Sequence, residues 1–409
     1  MQKHRFMRSF TFKIAVISFL LQSALVTSTK AGGLYLNEFG TPSMGTAGAG
    51  AQAWADDAST ALHNPAGMTR IQGDQFMLTS GLFFSRVKFD ASPGTFFSGG
   101  NGGDAGGWAP LGGLFYVHSL SDRLKFGFNT MSVSGSVLDY DNQWAGRFLV
   151  QDVSLLTVTM NPSLAYKFTD KLSASVGFMA MYGMLEMDLA IPAFLIPPGG
   201  QATLDGDDWG FGYNLGLLYE LSDRTRLGVI YLSEIELEFD GDLEVTPGGL
   251  SVGSKTKLPL AQGVRGSIYH ELNDKWAVLG TIGWEDWSTF DSLLISTENG
   301  SASVSRNWRD TYHYAGGVHY RPHEKWLFQA GIAYDTSPVS SDDRTPDLPV
   351  DRQVRYAIGA QYKWSETCTI GTAFEYMDLG KAKINRPLFK GEYEDNEAYV
   401  IGFYIRWKL

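Results

Sequence analysis

A short turn written six times, roughly fifty residues apart, constrains this chain more than any other feature. The copies are Leu120-Ser121-Asp122-Arg123, Phe168-Thr169-Asp170-Lys171, Leu221-Ser222-Asp223-Arg224, Leu272-Asn273-Asp274-Lys275, Pro322-His323-Glu324-Lys325 and Trp364-Ser365-Glu366-Thr367, the last two looser. Each sits between two stretches in which apolar and polar residues alternate. That is the signature of a tight hairpin in an up-and-down sheet. Six hairpins supply twelve strands, and one more at each end makes about fourteen. Short turns on one side and longer loops on the other are the plan of a transmembrane β-barrel.

The alternation separates two faces. In the last strand Tyr399, Ile401, Phe403, Ile405, Trp407 and Leu409 form an apolar row, while Val400, Gly402, Tyr404, Arg406 and Lys408 form a mixed one. Period two sets the first row against lipid and the second toward a lumen. The rule recurs in Trp326–Asp335 and Val354–Lys363. Trp276, Trp326, Trp364 and Trp407 fall near strand ends, where interfacial girdles form. A soluble β-propeller would also alternate, but a repeat of this length would then hold four short strands rather than two long ones. The C-terminus should lie on the short-turn, periplasmic side, and its aromatic–apolar alternation resembles a signal for the outer-membrane assembly machinery.

Residues 1–31 read as a secretory signal peptide. Lys3, Arg5, Arg8 and Lys13 form a basic start, Ile14 to Leu25 an apolar run, and Ala31 a small residue at which cleavage is expected. The apolar run is too short to span a bilayer. The net charge of −11 argues against nucleic acid as a partner. A single cysteine, Cys368, excludes an internal disulfide.

Residues 32–74 lack strand alternation and are rich in Gly and Ala. We expect this segment to pack as a small hatch with short helices, capped by Asp56, Asp57 and Ser59, inside a barrel occupying 75–409. The fold expected is thus all-β: an antiparallel barrel of about fourteen strands plugged from its N-terminus.

Within that frame the sequence resembles the FadL/TodX family of outer-membrane transporters of long-chain fatty acids and aromatic hydrocarbons. The resemblance rests on Gly33-Leu34-Tyr35-Leu36-Asn37-Glu38-Phe39, Ala55-Asp56-Asp57-Ala58 and Asn64-Pro65-Ala66 in the hatch. It continues in Trp108-Ala109-Pro110, Trp284-Glu285-Asp286-Trp287-Ser288, Asn307-Trp308-Arg309-Asp310-Thr311-Tyr312, and Tyr334-Asp335-Thr336-Ser337-Pro338-Val339 with Arg344, Pro346, Pro349 and Arg352. It implies passive passage of hydrophobic molecules: capture at outer loops, a lumen pocket beside the N-terminus, and sideways release through a kinked third strand. Asn37, Glu38, Phe39, Asp56, Asp57, Asn64, Pro65 and Ala66 would then form the hatch motif. Leu34, Leu36 and Phe39 would wall the pocket. Phe194, Leu195 and Ile196, in an exposed apolar loop, would capture ligand. Ser132, Ser134, Gly135 and Ser136 would form the gate, since Gly inside a strand suggests a bend.

One departure concerns the substrate. By the resemblance, a fifth-strand position expected to be basic in fatty-acid members is Met184. Arg265 and Arg355, inward by alternation, would replace it for a carboxylate, or would instead pair with acids such as Glu285. Neutral alkanes or aromatics are therefore the alternative substrates. The acidic row Glu234, Glu236, Glu238 and Asp240 reads as a solvated strand end, with lipopolysaccharide or a divalent ion as the competing reading. No nucleophile–base, metal or phosphate-loop pattern emerges, so no enzyme, metal or cofactor is expected. A general porin would need no plug. A monomer in contact with outer-membrane lipid and lipopolysaccharide is expected.

Overall fold

The computed structural model describes residues 38–132, 135–197 and 199–409. The signal segment, Leu34, Leu36, Asn37 and Ser134 lie outside the described residues.

The alternating stretches form an antiparallel barrel. We number its strands β1 (Gln75–Ala91), β2 (Trp108–Ser119), β3 (Leu124–Met131, continued by Gly135–Asp139), β4 (Asp152–Lys167), β5 (Leu172–Ile191), β6 (Gly200–Ser222) and β7 (Thr225–Leu232). The second half is β8 (Gly263–Glu271), β9 (Trp276–Glu285), β10 (Thr311–His323), β11 (Trp326–Asp335), β12 (Gln353–Lys363), β13 (Cys368–Asp378) and β14 (Phe389–Lys408). Each pairs with its chain neighbour, and all six repeated turns are hairpins of this sheet. β14 closes on β1 from Gln75↔Lys408 to Ala91↔Gly391. Closure leaves a barrel without the free edges that would otherwise template aggregation.

The two faces divide as the period-two pattern requires. In β14, Val400, Gly402 and Tyr404 are buried while Ile401 and Phe403 are exposed. Aromatic pairs ring the outer surface at the short-turn end, where Trp276 lies 4.4 Å from Tyr320, Trp326 4.7 Å from Tyr362 and Phe76 6.0 Å from Trp407. A second ring, with Phe84 4.6 Å from Trp108 and Tyr376 5.2 Å from Tyr399, marks the other end. Amphipathic rings are favoured at both membrane–water boundaries.

At the long-loop end β6 runs past β7 and pairs with an added strand, Ile235–Thr246. Leu250–Leu260, Ser292–Thr297 and Gly300–Ser305 extend that sheet in turn. The acidic row lies here: Lys257 bonds Glu236 at 2.8 Å and Glu238 at 3.1 Å, and Lys255 bonds Glu238 at 3.1 Å. These are exposed cross-strand pairs outside the barrel wall, each of small energetic value.

Residues 38–71 fill the lumen as helical segments of one or two turns: Pro42–Thr46, Ala51–Trp54, Thr60–His63 and Pro65–Arg70. So short a chain leaves many backbone groups without internal partners, and wall side chains meet them. Asn129 donates to the Ala61 carbonyl at 2.8 Å, Arg226 to the Ala53 and Trp54 carbonyls at 3.1 and 3.0 Å, and Gln329 to the Pro42 carbonyl at 3.1 Å. Thr281 accepts from Gly50 N at 2.8 Å. Close approach also needs wall positions without a Cβ. At Gly228 a Cβ would collide with the Gln52 carbonyl, and at Gly331 with the backbone of Thr46.

Candidate functional site

Three features converge on the lumen. The first is the hatch motif. Asn64 is fully buried; its side-chain nitrogen donates to the Gln52 carbonyl at 2.8 Å and the Leu217 carbonyl at 2.9 Å, and its oxygen accepts from Ala66 N at 3.2 Å. It therefore caps the Pro65–Arg70 turn and ties the hatch to β6, with Pro65 fixing the first turn position. Asp57 accepts from the Ser59 nitrogen at 2.9 Å and the Ser59 hydroxyl at 2.5 Å, forming a local turn. Burial pushes its carboxyl up. The expected caps are otherwise corrected. Ser59 makes no side-chain cap bond, and Asp56 is exposed, with its carbonyl held by Arg406 at 2.9 Å. Solvent is available to Asp56, so it needs no helix terminus.

Glu38 begins the described hatch and is ion-paired with Arg355 of β12. Arg355 also meets Asp335 at 3.1 Å, and Asp335 meets His313 Nδ1 at 2.8 Å. All four are buried. Arg265 meets Glu285 at 2.6 Å, so both candidate carboxylate-binding arginines already face acids.

The second feature is a lumen cavity of about 50 Å³. Leu62, His63 and Gln52 of the hatch line it together with Thr159, Asn161, Met179, Met181, Asn214, Ile230, Leu232, Ser233, Ile235 and Arg265. A volume of that size holds a few waters, so passage of a long ligand requires the walls to part. The two flexible methionines suit such repacking. His63 Nε2 lies 3.0 Å from both the Ser43 and Thr41 hydroxyls, and its ring also lines a smaller cavity beneath. Burial, aided by Arg265, pushes His63 down to about 3, so it is neutral.

The third feature is an interruption of the wall. β3 stops at Met131, paired with Thr159, and resumes at Gly135, paired with Leu156. Four steps along β3 thus oppose three along β4, an inserted residue of the bulge type. β2 pairs with β3 only as far as Gly113↔Met131. Among the described residues no ladder pair joins β2 to Gly135–Asp139. Above the interruption the chain closes again, since Asp139 N donates to the Ala105 carbonyl at 3.1 Å and Ala105 N to the Val87 carbonyl at 2.9 Å. Thr159, which lines the cavity, is the partner of the last β3 residue before the break. The third strand, expected to be kinked, is therefore two segments, and Ser132, Gly135 and Ser136 lie at their junction.

A match to the family model described as "Outer membrane protein transport protein (OMPP1/FadL/TodX)" spans residues 22–407. The chain belongs to this family. FadL/TodX members are outer-membrane transporters or channels for hydrophobic compounds, and this chain is an outer-membrane protein of the same class. A relative named "Long-chain fatty acid transport protein" from Escherichia coli O6:H1 (strain CFT073) is 28% identical over 414 residues, covering 90% of this chain and 92% of the relative. The crystal structure of a Pseudomonas aeruginosa FadL homologue matches with TM-score 0.81 at 21% identity, covering 94% of this chain and 99% of that one. That of the Ralstonia pickettii toluene transporter TbuX matches with TM-score 0.70 at 20% identity, covering 91% and 99%.

Set against the FadL/TodX expectations, the candidate ligand residues separate. Arg265 lines the cavity. Met184 does not: it is 42% exposed on the outer face, while Met181, Gly183 and Leu185 point inward. A register offset of one residue turns a side chain to the other face, and it is Met179 and Met181 that reach the lumen. Phe39 packs away from the cavity, with its ring 5.9 Å from Phe83 in a cluster that includes Ala109 of β2. Arg355 serves the hatch. Phe194 and Leu195 stand at 77% and 65% exposure in the loop after β5, with Ile196 half-buried beside them. Sequence reasoning missed Asn129, Asn161, Thr281, Arg226 and Gln329, the polar wall residues. Their inward parity was readable from the alternation, but not their partners.

Proposed function

We propose that this barrel takes up long-chain fatty acids passively, catching them at the outer loops, passing them through the lumen beside the hatch and releasing them sideways. The observation that carries this reading is the interruption of β3 beside the cavity-lining Thr159. An apolar chain leaving there enters lipid without crossing periplasmic water, keeping apolar contact throughout. Residues 1–31 act as the cleaved signal and 32–74 as the hatch, with Phe39 as a packing element beneath the edge of β2. The fatty-acid preference is supported by the relatives' names.

Uptake of neutral aromatic or aliphatic hydrocarbons by the same route is favoured by one observation. Arg265 is already neutralised by Glu285 at 2.6 Å, and a second carboxylate there would be poorly compensated. Native mass spectrometry of the purified barrel, with competition between oleate and toluene, separates the two. Bound fatty acid displaced by oleate supports the first reading. Displacement by toluene alone transfers the barrel to hydrocarbon uptake.

A further inference from the structure

The long-loop end carries an apolar patch built from three separate loops, with Arg147 set against its Phe148 ring. Phe96 is 70% exposed and its nitrogen donates to the Leu388 carbonyl at 2.9 Å; Leu388 is 57% exposed. The Phe96 and Phe97 rings lie 5.0 Å apart, and Phe97 lies 4.6 Å from Phe148. Large exposed apolar patches mark binding surfaces. Arg147 lies beside the patch, its guanidinium 4.3 Å above the Phe148 ring. Ala190 N donates to the Arg147 carbonyl at 2.8 Å, so the exposed Phe194 loop begins beside it.

The state of that guanidinium is the second observation. Its Nη1 donates to the Ser98 carbonyl and to the Trp144 carbonyl, both at 2.8 Å. Both acceptors are neutral. Among the described residues no carboxylate lies in an ion pair with Arg147, in contrast to Arg265, Arg306, Arg344 and Arg355. A guanidinium carries five N–H donors. The Nε and Nη2 donors, the edge that meets a carboxylate bidentately, have no partner among the described residues. Two carbonyls and a ring therefore hold the group in place and leave its anion-binding edge available.

We infer that Arg147 is the headgroup anchor of the outer capture site, binding the carboxylate of a free long-chain fatty acid whose tail lies across Phe96, Phe97 and Phe148. This rests on the capture step proposed above and deepens it. Charge complementarity selects an anionic amphiphile over a neutral hydrocarbon at first contact, before the paired Arg265 is reached. Discrimination then begins at the surface, and the lumen needs no free cation.

The test uses the full barrel in lipid nanodiscs, with binding of oleate and of oleyl alcohol measured for wild type, Arg147→Ala and Arg147→Lys. Heat-modifiable gel mobility confirms folding of each. Loss of a charge-assisted pair corresponds to about a tenfold weaker oleate affinity. Arg147→Ala should show that loss with oleyl alcohol unchanged, and Arg147→Lys should fall between. Equal weakening of both ligands, or no change in either, overturns the anchor. So does loss of co-purifying lipopolysaccharide with oleate binding intact, which would assign the cation to a lipid phosphate. A Phe194→Ser/Leu195→Ser variant tests the capture step separately, because it should weaken both ligands alike. If wild type binds neither ligand, the capture reading itself fails together with the anchor.

Discussion

Replacing Arg355 with Met should release the start of the hatch from the barrel wall. Arg355 is 2% exposed and is ion-paired with both Glu38 and Asp335. Its removal leaves three buried acids, Glu38, Asp335 and Glu375, without that cation, and His313 stays beside Asp335. Breaking a buried pair by deleting one partner costs about 3–5 kcal/mol. At about 1.4 kcal/mol per decade this is about two to three and a half orders of magnitude in the docking equilibrium. Hydrogen exchange of the amides of residues 38–48 reads it directly, with exchange in Arg355→Met faster by that factor while β11 and β12 keep their protection. Glu38→Gln should cost less, about 1–2 kcal/mol, since Arg355 retains Asp335 and an amide still accepts. Adding Glu38→Met to Arg355→Met should recover part of the loss, because an apolar pair restores compensation. Unchanged exchange in Arg355→Met, or a double variant worse than the single, would refute the latch.

The remaining predictions concern the hatch. His63 is held neutral, with its folded value near 3 against 6.5 for the free side chain. Below pH 6.5 the undocked hatch binds a proton that the docked one refuses. The contribution to docking is therefore complete above 6.5 and is lost as pH falls toward 3. At pH 5 docking should be weaker than at pH 7.5 by about 2 kcal/mol, read as faster exchange in residues 59–64, and His63→Gln should flatten that dependence; a flat profile in wild type would contradict it. Gly228→Ala places a methyl against the Gln52 carbonyl. Overpacking of this kind costs about 1–3 kcal/mol, and it should raise proteolytic sensitivity of the hatch without changing barrel mobility on gels. Equal protease resistance would mean the hatch does not lie as close to β7 as described.

Much of the wall was legible because a membrane barrel obeys two simple rules. Lipid outside and packed lumen inside enforce alternation, as in Val400 to Phe403, and the short turns share one local chemistry, as at Ser121 and Asn273. The hatch was legible from its small residues and its missing alternation. Other features had no local signature. Glu38 and Arg355 are brought together by closure of the whole barrel, and neither residue's neighbours announce the other. Met184 was misplaced because pleat parity decides which face a side chain occupies, and parity sets Met184 on the outer one. The strands Ile235–Thr246 and Leu250–Leu260 alternate like barrel strands, yet their acidic and basic face meets water above the membrane. The break in β3 showed only as Gly135 among small residues; what makes it an interruption is the count of partners on β4, which belongs to the neighbouring strand.

Repair of that break tests sideways release most directly. Deleting Val133 leaves three steps between Met131 and Gly135, equal to the three between Thr159 and Leu156, and so lets β3 run on as one strand that can pair with Ala109–Gly112. Uptake of radiolabelled oleate is then measured in cells whose only fatty-acid transporter is this barrel, with surface expression and oleate binding followed in parallel. Sideways release predicts that uptake is lost while folding and binding persist. Uptake at the wild-type rate, in a variant whose continuous third strand has been verified by structure determination, would contradict it and send the ligand through the hatch instead.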